Sequence, residues 1–229
     1  MIKLDSRLFA VASLVRKGSR VADIGTDHGY APVYLLQSGI SPSAVAADLR
    51  KMPLENAEKT IGQYALNSQI KTRLSDGLEK IESGECDDII IAGMGGLLIR
   101  EILEKAPWVK NDTYRLILQP MSHAEDVRCY LFENGFKIVR ELCCEDKKHC
   151  YCVMAAEFDG KRREHTPAEK YIGRIAENSD EASKAYLSNQ LSRLKKRHSA
   201  LKNSGGDSFE VEALEKTIAD FETIVGGKI

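Results

Sequence analysis

An excess of charge of either sign is missing from this chain. Its 229 residues carry 33 Lys and Arg against 34 Asp and Glu. No global field draws it to nucleic acid or to an acidic membrane, so any such affinity must come from local asymmetry. Long apolar runs are missing as well. The longest, Ile89 to Ile99, is interrupted by three glycines and falls short of the roughly 20 residues that span a bilayer. Met1 to Arg7 alternates apolar and charged residues and lacks the apolar centre of a secretion signal. The expectation is a soluble, cytoplasmic protein with no membrane partner. Paired-cysteine spacing is a third absence. Four of the six cysteines, Cys143, Cys144, Cys150 and Cys152, crowd together as C-C-x5-C-x-C, whereas structural zinc sites use C-x2-4-C pairs. No metal is expected; a β-hairpin with reduced, packed thiols around the polar turn Glu145 to His149 accounts for them.

What is present is an alternation of short apolar runs with helical periods. Helical spacing covers residues 4–16, with Leu4, Leu8, Val11, Ala12 and Val15 on one face. Strands follow at Arg20–Ile24, Ala44–Asp48, Ile70–Leu74, Asp87–Ala92 and Tyr114–Gln119. Between them lie helical stretches at Tyr30–Gln37, Pro53–Tyr64 and Leu97–Lys105, and Ser122–Asn134 follows the fifth strand. Phe136–Leu142 and Cys150–Phe158 form a closing hairpin. Strand–helix alternation implies a parallel sheet with a ligand at the strands' C-terminal edge. Past Asp159 a polar linker leads to helical sequence that runs almost to the end. Two apolar seams, Leu187 to Leu201 and Val211 to Val225, are separated by Asn203-Ser204-Gly205-Gly206-Asp207, as in an antiparallel coiled-coil hairpin. Residues 1–160 and 161–229 are therefore read as two units.

The turn Asp23-Ile24-Gly25-Thr26-Asp27-His28-Gly29 follows the first strand. Gly25 permits a sharp turn with exposed N–H groups, and Gly29 removes a side chain where a ligand approaches. A dinucleotide fingerprint needs a glycine where Asp27 stands, and a carboxylate there repels pyrophosphate, which counts against an NAD dehydrogenase. A ligand with a cationic centre tolerates it, and S-adenosylmethionine (SAM) has that chemistry. Later strands end in matching residues. Asp48 is placed to accept both ribose hydroxyls, and Asp76 to meet the adenine amino group with Gly77 leaving room for the ring. Gly93-Met94-Gly95-Gly96 would border the methionine portion and the target base.

Together these strings resemble the bacterial tRNA (adenine-N1) methyltransferases of the TrmK type, which modify adenine 22. The resemblance is carried by Leu4 to Leu8, Val21 to Gly29, Ala47-Asp48, Ser75-Asp76-Gly77, Ile91 to Gly96 and Leu118 to Met121. It implies a Rossmann-like class I SAM-dependent methyltransferase sheet, its last strand inserted antiparallel, with a C-terminal α-helical coiled-coil hairpin. It implies SAM as cofactor and tRNA as partner, in a chain expected to be monomeric. Adenine N1 carries an in-plane lone pair and attacks the methyl group directly, so the enzyme's task is chiefly orientation. The ring becomes cationic, and an acceptor near N6 stabilises it; Asp27 is the first candidate, His28 the second, with a pocket-lining or structural role its alternative. Asp23, Gly25, Gly29, Asp48, Asp76, Gly77, Gly93 and Met94 are the expected cofactor residues. The (Asp/Asn)-Pro-Pro-aromatic loop common in enzymes acting on exocyclic N6 is absent after strand four, where Gly95 and Gly96 leave space for a base.

Gln119 and Pro120 are expected to line the base pocket, with ordinary packing as the equal alternative. Tyr30 reads as partial core, with contact to the methionine end or a flipped base as its alternative. Positive charge gathers in residues 180–202, whereas 207–222 is acidic. Mutual attraction of the two arms explains this, and so does a phosphate grip by Lys195, Lys196 and Arg197 together with Lys161, Arg162 and Arg163. The alternative function is a methyltransferase of the same fold acting on a small molecule or protein; a non-enzymatic RNA-binding protein with a relic SAM site is a further rival.

Overall fold

Ile89, Ile90 and Ile91 are wholly buried, as a consecutive apolar run must be in a strand covered on both faces. They sit in the middle of the sheet in the computed structural model, which describes residues 1–147 and 149–226. Lys148, inside the expected hairpin turn, and residues 227–229, at the end of the expected tail unit, lie outside that range. The strands are β1 (Val21–Ile24), β2 (Ala44–Asp48), β3 (Ile70–Leu74), β4 (Asp88–Gly95), β5 (Arg115–Ser122), β6 (Phe136–Asp146) and β7 (His149–Phe158). Among the described residues they form one sheet in the order β3-β2-β1-β4-β5-β7-β6. The first five run parallel and β7 inserts antiparallel between β5 and β6. Strand order reverses at β1, between β2 and β4, the place where open α/β sheets bind ligands.

The helices are α1 (Ser6–Ala12), α2 (Tyr30–Gln37), α3 (Lys51–Gln63), α4 (Gly96–Glu104), α5 (Ala124–Glu133), α6 (Glu169–Ile172), α7 (Glu181–Asn203) and α8 (Ser208–Val225). Successive residues of β4 face opposite sides: Ile89 and Ile91 join a core with α4 and α5, Ile90 one with α1, α2 and α3. That alternation is why both helical layers are needed.

β5 runs on to Ser122 and β6 to Asp146, past their expected ends, and three further departures trace to partners remote in sequence. Helical periodicity over 4–16 yields a helix only over Ser6–Ala12. Arg16 leaves the helical path to donate from its backbone N–H to Asp88 Oδ2 (2.8 Å) and from Nε to Oδ1 (2.7 Å). β4 continues past Ala92, its expected end, through the glycines to Gly95, with a bulge between Ala92 and Met94. The continuous helix expected beyond Pro167 is reduced at first to the single turn α6. It stops at Gly173, φ 55°, where any Cβ would collide with Glu141 and Arg128.

Those two residues form a fully buried ion pair. Arg128 donates from Nη2 to Glu141 Oε1 (2.7 Å) and from Nη1 to the Lys170 carbonyl (2.8 Å), while Glu141 Oε2 accepts from the Arg174 N–H (2.8 Å). The chain leaving the sheet is thereby tied back to it. One apolar cluster then runs from Ala22 and Ile91 through Met154 to Tyr186, Leu187, Phe221 and Val225. The boundary read at 160/161 crosses this continuous core, and α7 packs directly on β6 and β7. No described helix is long and apolar enough to cross a membrane.

Candidate functional site

The β1–α2 turn is built by close approach. Gly25 has φ 77°, a conformation only glycine adopts without strain, and the Met94 methyl group occupies the space a side chain would take. The N–H groups of Gly25 and Thr26 both donate to the Ala47 carbonyl (2.8 and 2.9 Å), so they tie β1 to β2 and are not the exposed donors expected. At Gly29 a Cβ would lie 3.3 Å from that of Ala57; helix packing against α3 demands this glycine. Gly77 is likewise a packing residue, since a Cβ there would press to 2.9 Å on Ile102 of α4. Room for a ring is not what fixes it.

Asp23 is the most perturbed acid of the turn. Burial pushes its carboxyl up to about 6, Asp48 adds to the rise, and the nearby Thr26 hydroxyl opposes it. That hydroxyl is itself buried without a hydrogen bond of full geometry. A buried carboxylate held this far up gains most from a cationic ligand. Asp48, also buried, accepts from the Arg50 N–H (2.8 Å) at the end of β2. Asp76 stands exposed just past β3. Leu49, beside Asp48, is 62 % exposed; an apolar side chain left open next to a ribose-type acceptor suits the face of a base.

Asp27 and His28 stand at the mouth of this pocket. His28 Nε2 lies 3.3 Å from Asp27 Oδ2, and Asp27 is 66 % exposed at its side chain. Tyr30, expected as partial core, is exposed instead and stacks on His28 with centroids 5.1 Å apart. The pocket has a volume of about 480 Å³, within the range of small-molecule sites. Its floor is tied by Gln119, which is wholly buried. The Gln119 Oε1 accepts from the Gly93 N–H (3.0 Å) and from Arg7 Nη1 (2.8 Å), and its Nε2 donates to the Pro120 carbonyl (3.0 Å). Gln119 therefore lines nothing; it replaces a ladder partner where β4 bulges.

A second cleft, about 620 Å³, adjoins the first across the end of β5. Pro120, His123, Tyr151, Tyr186, Arg193 and Lys196 face it. Gly95 and Gly96 border its wall by packing, since a Cβ on Gly96 would run into the backbone of Ser122 and His123. The basic residues separate sharply. Lys196 lines the cleft, Lys195 pairs with Glu222 across the helical hairpin (2.6 Å), and Arg197 faces a different groove beside Tyr171. The linker residues are elsewhere. β7 ends beside the start of β5, with Arg115 opposite Glu157, so Lys161 and the exposed Arg162 lie at the edge of the sheet opposite the pocket. Arg163 folds back onto Asp159 and donates to the Phe136 carbonyl (3.1 Å). The linker cluster and the tail cluster therefore do not form one patch, and a single phosphate cannot be shared between them. His123, Glu125 and Asp126 form the one metal-capable cluster among the described residues. Two carboxylates in the first turn of α5 complement the helix dipole, which accounts for them without an ion.

Residues 4–154 match a methyltransferase-domain family model. The tRNA (adenine(22)-N(1))-methyltransferase of Bacillus subtilis is 40% identical over 156 residues, 68% of this chain and 66% of that protein. The chain belongs to the TrmK-type methyltransferase family. The crystal structure of the B. subtilis m1A22 tRNA methyltransferase TrmK superposes with a TM-score of 0.82 at 29% identity, covering 98% of this chain and 100% of that one. A putative tRNA (m1A22) methyltransferase from Streptococcus pneumoniae, solved with S-adenosyl-L-methionine, gives 0.84 at 28% identity over 97% and 100% of the two chains.

The structural likeness to these TrmK-type proteins extends to the tail, because both superpositions span nearly the whole chain. Several pocket residues escaped the sequence reading. Arg7 and Leu8 belong to the Leu4–Leu8 string that helps to carry the resemblance but is given no ligand role there, and Arg193 looked like one more exposed base on a helix. His123 carries a positive φ of 54° just before α5. Its His-Ala-Glu-Asp string was a readable hint of a helix start, not of a strained residue facing the cleft.

Proposed function

We infer that this protein is a SAM-dependent tRNA methyltransferase that modifies N1 of adenine 22. The supporting observation is the pairing of the two cavities: an acid-lined pocket at the strand-order reversal opens beside a wider cleft that α7 flanks with Arg193 and Lys196. SAM supplies an electrophilic methyl group on a sulfonium. Asp23 and Asp48 hold the cationic and ribose portions, and Met94 packs over the turn. Asp27 stands where it accepts a hydrogen bond from the adenine amino group as the ring gains positive charge on methylation. The N1 lone pair forms the new bond as the methyl–sulfur bond breaks, and no covalent enzyme intermediate is needed. His28 and Tyr30, already stacked on each other, offer a face to an unstacked base. Residues 1–160 perform the chemistry, and 161–229 position the tRNA, with phosphate contacts assigned to Lys196 and Arg193.

Incubation of unmodified tRNA with SAM, followed by primer extension, tests this directly. N1 methylation blocks Watson–Crick pairing, so the expected result is a new stop one nucleotide before adenine 22. No stop, with methyl transfer to a protein or small molecule instead, overturns the reading. Asp27→Ala should lower kcat by about 10²- to 10³-fold with SAM affinity intact; an unchanged kcat removes Asp27 from the chemistry.

A further inference from the structure

We propose that Arg7 binds the carboxylate of the methionine portion of SAM, and that Gln119 holds its guanidinium in place to do so. This rests on SAM being the cofactor and not on which nucleotide is methylated. SAM carries two cationic centres and one carboxylate, so a complete site needs acids and one well-placed cation. Asp23, with the buried Asp48 close by, supplies the acids. Among the described residues lining the pocket, the permanent cations are Arg7 and Lys147. Lys147 is exposed at the tip of the β6–β7 hairpin, whereas Arg7 is largely enclosed, its side chain 20% exposed.

Arg7 is held by a neutral partner. The buried Gln119 Oε1 accepts from its Nη1 at 2.8 Å. Gln119 is itself locked, because the same oxygen accepts from the Gly93 N–H and its amide nitrogen donates to the Pro120 carbonyl. An amide orients a guanidinium without cancelling its charge, which a carboxylate at that position would do. Asp5 Oδ2 approaches Arg7 only to 4.0 Å, and the other oxygen of Asp5 accepts from the Leu8 N–H at 2.7 Å. A guanidinium has five donors in a planar fork that matches a carboxylate, and Gln119 takes one of them. The remaining surface of Arg7 faces the pocket. The absent side chain at Gly93 keeps it open: a Cβ there would sit 3.4 Å from Arg7 Nη1. Bulge, glutamine and arginine thus act as one device, which aims a positive charge into the pocket that Gly93 and Gly25 both line.

Calorimetric titration with SAM and with decarboxylated SAM, which keeps the adenosine, sulfonium and ammonium groups, tests the assignment. The wild-type protein should bind SAM about 10- to 100-fold more tightly than the decarboxylated analogue. Arg7→Met should remove that preference: SAM binding falls by the same factor, and analogue binding changes by less than about 3-fold. Arg7→Lys should restore part of it. Equal affinity of the wild-type protein for both ligands overturns the proposal without needing any variant to fold. Equal loss of both ligands in Arg7→Met assigns Arg7 a structural role, and unchanged SAM binding with weakened tRNA binding assigns it to the RNA; either overturns the proposal. Failure of the wild-type protein to bind either ligand overturns the cofactor reading beneath it.

Discussion

Replacing Asp23 by asparagine should stabilise the cofactor-free protein while weakening its hold on SAM. Asp23 is 6% exposed, and burial is the main cause of its rise from 3.8 to about 6. A carboxyl raised on folding contributes stability that is fully present below pH 3.8 and lost as pH rises through about 6. The gap of roughly two pH units amounts to about 3 kcal/mol at pH 7.5. By the same linkage about half of that cost remains at pH 5 and less than about 1 kcal/mol at pH 4. Urea unfolding of wild-type protein and Asp23→Asn without cofactor should show the variant ahead by about 2–3 kcal/mol at pH 7.5 and by roughly half as much at pH 5. SAM titrations should give the complementary result. Wild-type affinity falls about tenfold from pH 7 to pH 5 as Asp23 takes up a proton, and the variant's weaker affinity stays flat. A variant no more stable than wild type at pH 7.5, or a gain that persists undiminished at pH 5, refutes the argument that this carboxylate is held ionised at a cost that the ligand repays.

Arg128→Met should destabilise the protein by about 3–5 kcal/mol, because it strands the buried Glu141 carboxylate. Pairing it with Glu141→Leu should recover much of the loss in thermal unfolding, and a single variant that melts with wild type would sink this account of the tail's attachment. Lys196→Glu should weaken tRNA binding and lower the salt-dependence slope by about one. Lys195→Glu, which sets a carboxylate against Glu222, should cost at most about 1 kcal/mol of stability and leave tRNA affinity nearly unchanged. Equal effects of the two variants on tRNA affinity would mean that the cleft is not the RNA path.

Features with local causes were legible in the sequence; features with remote causes were not. α2, β2 and β3 keep the bounds expected of them, because each is delimited within a few residues by a glycine turn, a terminal acid or a change of period. The acids at the ends of β1, β2 and β3 follow from the same local marks, whereas the strand-order reversal rests on the remote pairing of β1 with β4. Arg163 shows the opposite case: from Lys-Arg-Arg it reads as free positive charge, yet Asp159 and the Phe136 carbonyl engage it. Lys195 is similar, with its partner 27 positions along at Glu222. Gln119 is the most instructive. A polar residue closing an apolar strand beside a proline suggests a side chain offered to a ligand. Its actual work is to join Gly93, 26 residues before it, to Arg7, 112 residues before it. Nothing periodic or local marks that triangle, because it exists only after α1 has docked against β4 and β5. If Gln119 serves to aim Arg7, then Gln119→Leu should shift the ratio of SAM to decarboxylated-SAM affinity in the same direction as Arg7→Met. A packing role alone would lower both affinities together.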